Sequence, residues 1–391
     1  MKSQHVVVVG GGVIGSAIAY FLRAADQGVG VTVIERDPSY ARASSALSAA
    51  SIRQQFSTPL SVQMSLYGIE FLRSIGERLA VDGVAPSIDL HEGGYLFLAT
   101  PRGLSTLREN HALQTSLGAD IRFLDKPSLK ATFPWLHTDD LAAGAYGASG
   151  EGWFDGYGLV QAFRKKAQSL GARYVAADVT GIVREGDRVQ AVLTHDGQRF
   201  DCDMMVNAAG AWSRKIAEML GIDLPVYARR RSIFNFKSPA RLARCPLVID
   251  PSGVYWRPEG ETYICGVSPG ADRDFDDLPL SEVDHELFDD VIWPALAARV
   301  PEFEALRVQT SWSGYYEYNV LDQNAIIGGH PAVSNCIFAN GFSGHGLQQG
   351  PATGRGVSEL ILHGRYTTLD LSALSFDRVL ANEPIVEKNV V

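Results

Sequence analysis

The 391-residue sequence predicts a protein of mixed α/β and α+β class, in which a parallel-sheet domain is interrupted by mostly antiparallel β-structure. Three observations predict it. A buried strand, a glycine turn, a helix and a second strand follow one another within the first 36 residues. Buried, small-residue segments return near 206–212 and 325–346. Between them lie stretches of alternating apolar residues of a different character. The length agrees, because a chain of this size divides into two or three units at about 150 residues each.

His5 to Val9 is a run rich in β-branched residues, as a parallel strand covered on both faces requires. It leads directly into glycines and lacks a basic n-region, so it reads as a strand rather than a targeting segment. Gly10-Gly11-Gly12-Val13-Ile14-Gly15 follows, then a helical stretch from Ser16 to Ala25 and a strand from Val29 to Ile34 ending in Glu35. The set fits about 30 residues, the length of a βαβ unit. Val62, Leu66, Ile69, Leu72 and Ile75 recur at three- and four-residue steps and predict helix within 61–80. From 88 to 150 the pattern gives a strand at Tyr95 to Leu98, a helix over 104–117 and a stretch broken by Pro and Gly. Residues 157–170 are helical. Residues 173–206 read as strands with tight turns at Glu185-Gly186-Asp187 and His195-Asp196-Gly197.

Val206 to Trp212 ends a buried strand in small residues. From 226 to 312, alternation in Ser232–Phe236, Val254–Trp256 and Tyr263–Val267 predicts an antiparallel sheet, with a helix over 281–299. Buried strands return at Ala325–Gly328 and Cys336–Ala339. The loop from Asn340 to Gly346 then opens a helix reaching about His363, and the residues after about 380 read as a disordered tail. The first domain is therefore discontinuous, 1–87, 151–225 and 313–391. The inserted one takes 88–150 and 226–312.

The net charge of −9 argues against a nucleic-acid partner, because phosphate binding needs a basic face. The run Arg229-Arg230-Arg231 is too short to reverse this, and fits a solvated or substrate-facing strand. Cys202, Cys245, Cys265 and Cys336 show no CxxC spacing, so neither a disulfide framework nor a metal site is expected. A reducing, cytoplasmic location fits that usage. No apolar stretch reaches 18 residues, so no membrane span is expected.

Gly10-x-Gly12-x-x-Gly15 has the form of a phosphate grip. The first glycine allows the tight turn, the second lets the backbone approach a pyrophosphate, and the third lets helix and strand pack closely. Val13 and Ile14 complete the turn, and the helix start behind it carries unpaired N–H groups and partial positive charge. Glu35 lies twenty residues past Gly15, where a carboxylate accepts ribose hydroxyls. It disfavours a 2′-phosphate, with Arg36 beside it as a counter-signal. This unit predicts a dinucleotide and leaves NAD and FAD open. Gly341 to Gly346 opens a second helix, and a helix start suits the edge of a flavin that gains negative charge on reduction. An ordinary capped loop would read the same.

The fingerprint, Asn207 to Trp212 and Gly341 to Gly346 together resemble the D-amino acid oxidase superfamily of FAD-dependent amine oxidoreductases. Sarcosine oxidase, glycine oxidase and dimethylglycine dehydrogenase belong to that group. The resemblance covers nearly the whole chain in order. More narrowly, Leu47–Ser57, Trp312–Gly328 and Asn340–Gln349 are similar to a mitochondrial branch of FAD-dependent oxidoreductase domain-containing proteins linked to respiratory complex I assembly, and to its bacterial relatives.

The resemblance implies an FAD-binding, Rossmann-like, two-dinucleotide domain with an inserted, mostly antiparallel β substrate domain. It places Gly10, Gly12 and Gly15 at the pyrophosphate and Glu35 at the adenosine ribose. Ser44 and Ser45 fall at the pyrophosphate and ribityl region, and Val179 at the adenine. Ala209, Gly210 and Trp212 close over the cofactor, while Gly344, His345, Gly346, Leu347 and Gln348 approach the isoalloxazine.

Departures from the family are equally informative. No Cys stands near Tyr315, where monomeric sarcosine oxidases link their flavin, so a non-covalent FAD is implied. The carboxylate-binding Arg expected near Tyr316, the Lys at Gln348 and the oxygen-activating Lys around Tyr255 are all missing. Arg53 and Arg257 are candidates to hold a substrate carboxylate, since a guanidinium grips one in two-pronged fashion; surface or phosphate-contact roles are the alternatives. Tyr255 and Tyr316 are candidates to line the pocket, and His345 to contact the flavin. The expected reaction oxidises the C–N bond of a small secondary amine or amino acid by hydride transfer to the flavin, with electrons passing on to oxygen, a carrier protein or a quinone. A 2-hydroxy acid dehydrogenase and a non-catalytic flavoprotein acting in assembly of a partner complex are the rival readings.

Overall fold

The computed structural model describes residues 4–388, whose strands form four sheets. The first has six strands, in the order Ile326–His330, Val333–Asn340, Met204–Asn207, His5–Val9, Gly30–Glu35 and Arg173–Ala176. All neighbours are parallel except the pair Ile326–His330 and Val333–Asn340. Val6 to Val9 are at most 4% exposed, which explains the unbroken valine run at the centre of a covered sheet. From His5–Val9 the chain passes to Gly30–Glu35 on one side, and Met204–Asn207 joins on the other. The strand order thus reverses at the end of His5–Val9, the position where open α/β sheets hold ligands.

Against this sheet the helix Val13–Ala25 packs along the helix Gly346–His363. Two glycines one turn apart bring them close. A Cβ on Gly354 would lie 2.7 Å from the Ala17 Cβ, and one on Gly350 would lie 3.1 Å from Val13 Cγ2. Residues four apart share a helix face, so this register makes the helices parallel. Both N-termini therefore open at the same end of the sheet.

The second sheet has eight strands, in the order Arg307–Asn319, Val226–Lys237, Thr262–Gly266, Tyr255–Glu259, Leu247–Ile249, Tyr95–Ala99, Ala143–Gly147 and Ile121–Asp125. It is antiparallel except where Leu247–Ile249 meets Tyr95–Ala99. Phe133, Phe234, Phe236, Trp256 and Phe303 form its own buried core. The strand Arg307–Asn319 stays paired with Val226–Lys237 as far as Val226↔Asn319. The change of sheet therefore falls at 319, past the expected boundary at 313, because a twelve-residue neighbour offers a partner all along.

Val179–Glu185, Arg188–Thr194 and Arg199–Asp201 make a small antiparallel sheet, with Gly186 (φ +59) and Gly197 (φ +80) at its turns. Ser51–Ile52 pairs with Gly152–Trp153.

The helix expected from 281 begins only at His285, where Asp284 caps it by accepting the Leu287 N–H. The expected disordered tail is also corrected. Asp322 Oδ2 accepts the Ile385 N–H at 2.9 Å, and Glu387 Oε1 accepts the Ser57 N–H at 2.7 Å, so residues up to 388 are tied to the body. Residues 389–391 lie outside the described ones. The four cysteines are free thiols, and no described helix is long and apolar enough to cross a membrane.

Candidate active site

A cavity of about 350 Å³ opens at the strand reversal and is lined from both large sheets. Its floor is the glycine turn. Gly10 has φ +99, and a Cβ there would lie 2.3 Å from the Ala208 carbonyl oxygen, so only glycine fits. Gly12, Val13 and Ile14 line the cavity, whereas Gly15 faces the sheet, in contact with Gly10. The Val13 N–H reaches Ser45 Oγ at 3.4 Å, which sets Ser44 and Ser45 of the turn Ser44–Leu47 beside the glycines. Among the described residues, no protein acceptor takes the N–H of Gly12 or Ile14. Such groups at a helix start suit an anion.

Glu35 ends its strand with Oε2 accepting the Gly11 N–H at 2.7 Å and Oε1 accepting the Asp37 N–H at 2.9 Å. Burial pushes its carboxyl above the usual range against these bonds. Ala177, Asp178 and Val179 line the same end. Ala209, Gly210 and Trp212 form the opposite wall, with Arg36 laid over the Trp212 ring, 3.6 Å from its centre. That stack uses the Arg36 charge, which sequence alone could have assigned to a 2′-phosphate.

Past the glycine turn the cavity reaches the start of the Gly346–His363 helix, where Gly344, His345, Gly346, Leu347 and Gln348 line it. Gly344 (φ +97) lies against the Tyr316 ring, with no room for a Cβ. Again no described protein group accepts the N–H of Gly346, Leu347 or Gln348. Gln348 Oε1 is engaged, accepting the Arg53 N–H at 3.0 Å.

Arg53 is 3% exposed by the outer surface yet lines the cavity, its guanidinium 4.3 Å from the centre of the Phe56 ring and 3.4 Å from His345 Nε2. Burial and the Arg53 charge hold His345 neutral, well below the usual imidazole range. Tyr95, Tyr255 and Tyr316 complete this end, with Ile233 and Leu247 as apolar wall. Burial raises the Tyr255 phenol well above its ordinary value.

Besides Gly15, the expected site residue that the structure does not bring to the cavity wall is Arg257. It lies two residues along the strand from Tyr255, where the Ala49 carbonyl (2.9 Å to Nη2) and the Glu259 carboxylate take its guanidinium. The cavity holds several groups that the sequence reading did not single out: Tyr40, Arg42, Tyr95, Lys215, Arg231 and Glu317. Arg231 had a signal in the basic run. Asp274 grips it at 2.6 Å and Arg229 at 3.0 Å, while Glu282 takes Arg230, so the run is neutralised internally.

A dinucleotide cradle at a sheet reversal, leading to a second helix start and a buried aromatic pocket, defines a flavin-dependent oxidoreductase scaffold. The comparisons agree, since residues 5–360 match the model of the FAD dependent oxidoreductase family. The chain belongs to that family, and its cofactor is FAD. The chain is 44% identical to FAD-dependent oxidoreductase domain-containing protein 1 of Xenopus laevis, over all of this chain and 85% of the relative. Glycine oxidase of Geobacillus kaustophilus is 28% identical over 95% of this chain and 96% of that protein. L-Proline dehydrogenase of P. horikoshii superposes with a TM-score of 0.85 over 98% of this chain and all of that one, at 26% identity.

Proposed function

We propose that the chain oxidises the C–N bond of a small secondary amine or amino acid, of the sarcosine, N-substituted glycine or D-amino acid type. The observation that carries this reading is Arg53, a cation set into the cavity wall among Phe56, Tyr95 and Phe97 beside His345. A guanidinium in the cavity wall, steadied by the Gln55 carbonyl and His345, can grip a carboxylate in two-pronged fashion and fix its orientation.

FAD fits the donor set described above. Gly10, Gly12, Val13, Ile14, Ser44 and Ser45 would hold its pyrophosphate, and Gly15 would support them from behind. Glu35 and Val179 would meet the adenosine, and Ala209, Gly210 and the Arg36–Trp212 stack would close over it. The N–H groups of Gly346, Leu347 and Gln348, with Gly344 and His345, would face the flavin. Bound FAD would supply the acceptor for one hydride, that is, two electrons with one proton. The chain's own residues do the rest. Arg53 would hold the carboxylate, while Tyr255 and Tyr316 would confine the amine and exclude water. The low-polarity wall favours the neutral amine, whose lone pair assists oxidation. The imine product hydrolyses in water.

None of the four cysteines lines the cavity, which supports a non-covalent cofactor. Lys215 is the lysine of the wall and lies on the helix Ser213–Glu218, beyond Trp212 rather than beside Tyr255. This supports a carrier protein or quinone as electron acceptor in place of oxygen. Free thiols support a reducing compartment such as the cytoplasm.

The test is the anaerobic visible spectrum with a panel of N-methyl, N-carboxymethyl and D-amino acids. Bleaching by one of them is the expected result, with slow recolouring in air. Bleaching by 2-hydroxy acids alone would transfer the reading to C–O oxidation, and no bleaching by any compound would favour a non-catalytic role. Trp212→Ala, which removes the ring beneath Arg36, is expected to weaken FAD binding roughly tenfold, about 1–2 kcal/mol, in a titration of apoprotein. Unchanged affinity would show that the stack does not close on the cofactor.

A further inference from the structure

We propose that Glu317 is the proton acceptor of this site, taking the N–H proton of the substrate's ammonium form before the C–H bond is oxidised. The proposal rests on the amine-oxidation reading above.

Glu317 sits on the strand Arg307–Asn319, the next residue after Tyr316, and is one of the residues that line the cavity. One side of the carboxyl is held in place, since Oε2 accepts the Gly341 N–H at 3.1 Å and the Phe342 N–H also bonds to the group. The other oxygen, Oε1, lies 3.7 Å from the place of a Cβ on Gly346, at the opening of the second helix. The carboxyl is therefore fixed beside the glycine loop and the helix start, on a residue that shares the cavity wall with Tyr316.

The neighbouring groups are poor alternatives. His345 is held neutral and directs Nε2 at Arg53. Tyr255 would have to be a phenolate in a site that penalises one. The titratable groups within a few residues of Glu317 on the elements packed around it are Tyr227, Arg229, Arg230 and Arg231 of the neighbouring strand, Tyr315, Tyr316 and Tyr318 of its own, and His345 of the glycine loop, with Arg230 paired to Glu282 and Lys237 and Arg307 at the far ends of the two strands. Arg229 and Arg231 are already paired with Asp274. Burial pushes the Glu317 carboxyl up to about 8. Below that pH it carries a proton; above it, the carboxylate can accept one. An ammonium brought beside it favours the carboxylate and draws the range toward neutrality, where a general base is most effective.

The step balances. The ammonium N–H bond breaks, its proton goes to the Glu317 carboxylate, and the electron pair stays on nitrogen. The C–H bond then breaks, and its hydrogen would pass with the bonding pair as hydride to bound FAD, a two-electron reduction. The nitrogen lone pair forms C=N, and water hydrolyses the product.

Two measurements test it on the FAD-loaded protein. Anaerobic reduction by the best amine of the panel is followed from about pH 6 to about pH 10, in the wild type and in Glu317→Gln, which keeps an acceptor for Gly341. The expected wild-type rate rises through an ionisation at or below about 8. The Gln variant is expected to be at least roughly tenfold slower at neutral pH, retaining only the rise due to the amine itself. The second readout needs no turnover. Benzoate, which carries no amine, is titrated against the flavin spectrum. A second negative charge in the cavity should raise its Kd by up to about tenfold per pH unit above about 8 in the wild type, and not in Glu317→Gln.

Amine reduction with a flat wild-type benzoate profile overturns the role of Glu317 alone. So does a Gln variant with the wild-type rate profile. If no amine reduces the flavin, the amine-oxidation reading falls, and the proton transfer with it. Should the variant lose FAD, the two wild-type profiles decide, and absence of a shared ionisation overturns the proposal.

Discussion

Gly15→Ala is expected to yield a protein that retains almost no FAD and melts several degrees earlier than the wild type. A methyl group at this position would lie 1.9 Å from the Gly10 carbonyl oxygen and 3.2 Å from Val8 Cγ1. The first clash is with backbone in the middle of the phosphate turn, so no side chain can rotate away to relieve it. The Val13–Ala25 helix must instead lift from the central strand, which costs about 1–3 kcal/mol or more. A loss of that size lowers Tm by roughly 2–4 °C per kcal/mol in domains of about 150–250 residues. The same lift moves the N–H groups of Gly12 and Ile14 away from their common focus. Gly12→Ala is the control, because its Cβ would meet only Ser45 Oγ, at 3.7 Å, and would project into the cavity. It should leave the melting of the apoprotein unchanged while reducing FAD retention. The ratio of flavin to protein absorbance after desalting, with a thermal melt of each apoprotein, checks both. A Gly15→Ala protein that keeps its full complement of FAD would refute the account.

This turn was legible because its signals are local. A strand of β-branched residues, three glycines at fixed spacing and a carboxylate twenty residues on each act within one βαβ unit. The second helix start was legible for the same reason, through Gly341, Gly344 and Gly346. What eluded the sequence depends on register over long distances. Arg257 has the right chemistry and shares a strand with Tyr255, but the carbonyl that captures it belongs to Ala49, 208 residues away. Glu317 stands in an aromatic run, Tyr315-Tyr316-Glu317-Tyr318, with no local motif to mark it. It reaches the cavity only because its strand stays in the second sheet while the Gly341 loop folds over it. The partners of Arg229–Arg231 lie 43 to 52 residues further along, which is why the sequence left the run as a solvated or substrate-facing strand.

Arg53→Met is expected to raise the Kd of a carboxylate-bearing amine by about a hundredfold, close to 3 kcal/mol, while leaving the fold intact. The fold survives because the backbone at this position is fixed independently of the guanidinium. Gln348 Oε1 accepts the Arg53 N–H, and the Ser65 hydroxyl donates to the Arg53 carbonyl. Behind it, the buried Glu151 carboxyl takes the Gln55 side chain at 2.8 Å and is pushed up to about 7 by burial, with the Arg53 charge opposing that rise. Removing the cation lets Glu151 rise further and hold its proton at neutral pH, so no bare charge is left in the core. The loss therefore falls on the ligand. An amine of similar size without a carboxylate should reduce the flavin equally well in both proteins. Arg53→Lys should recover only part of the affinity, since an ammonium keeps the charge without the two-pronged geometry. Rapid anaerobic mixing over a range of substrate concentrations separates Kd from the limiting rate. If Met at this position slowed both amines alike, Arg53 would be supporting the cavity wall rather than reading the carboxylate.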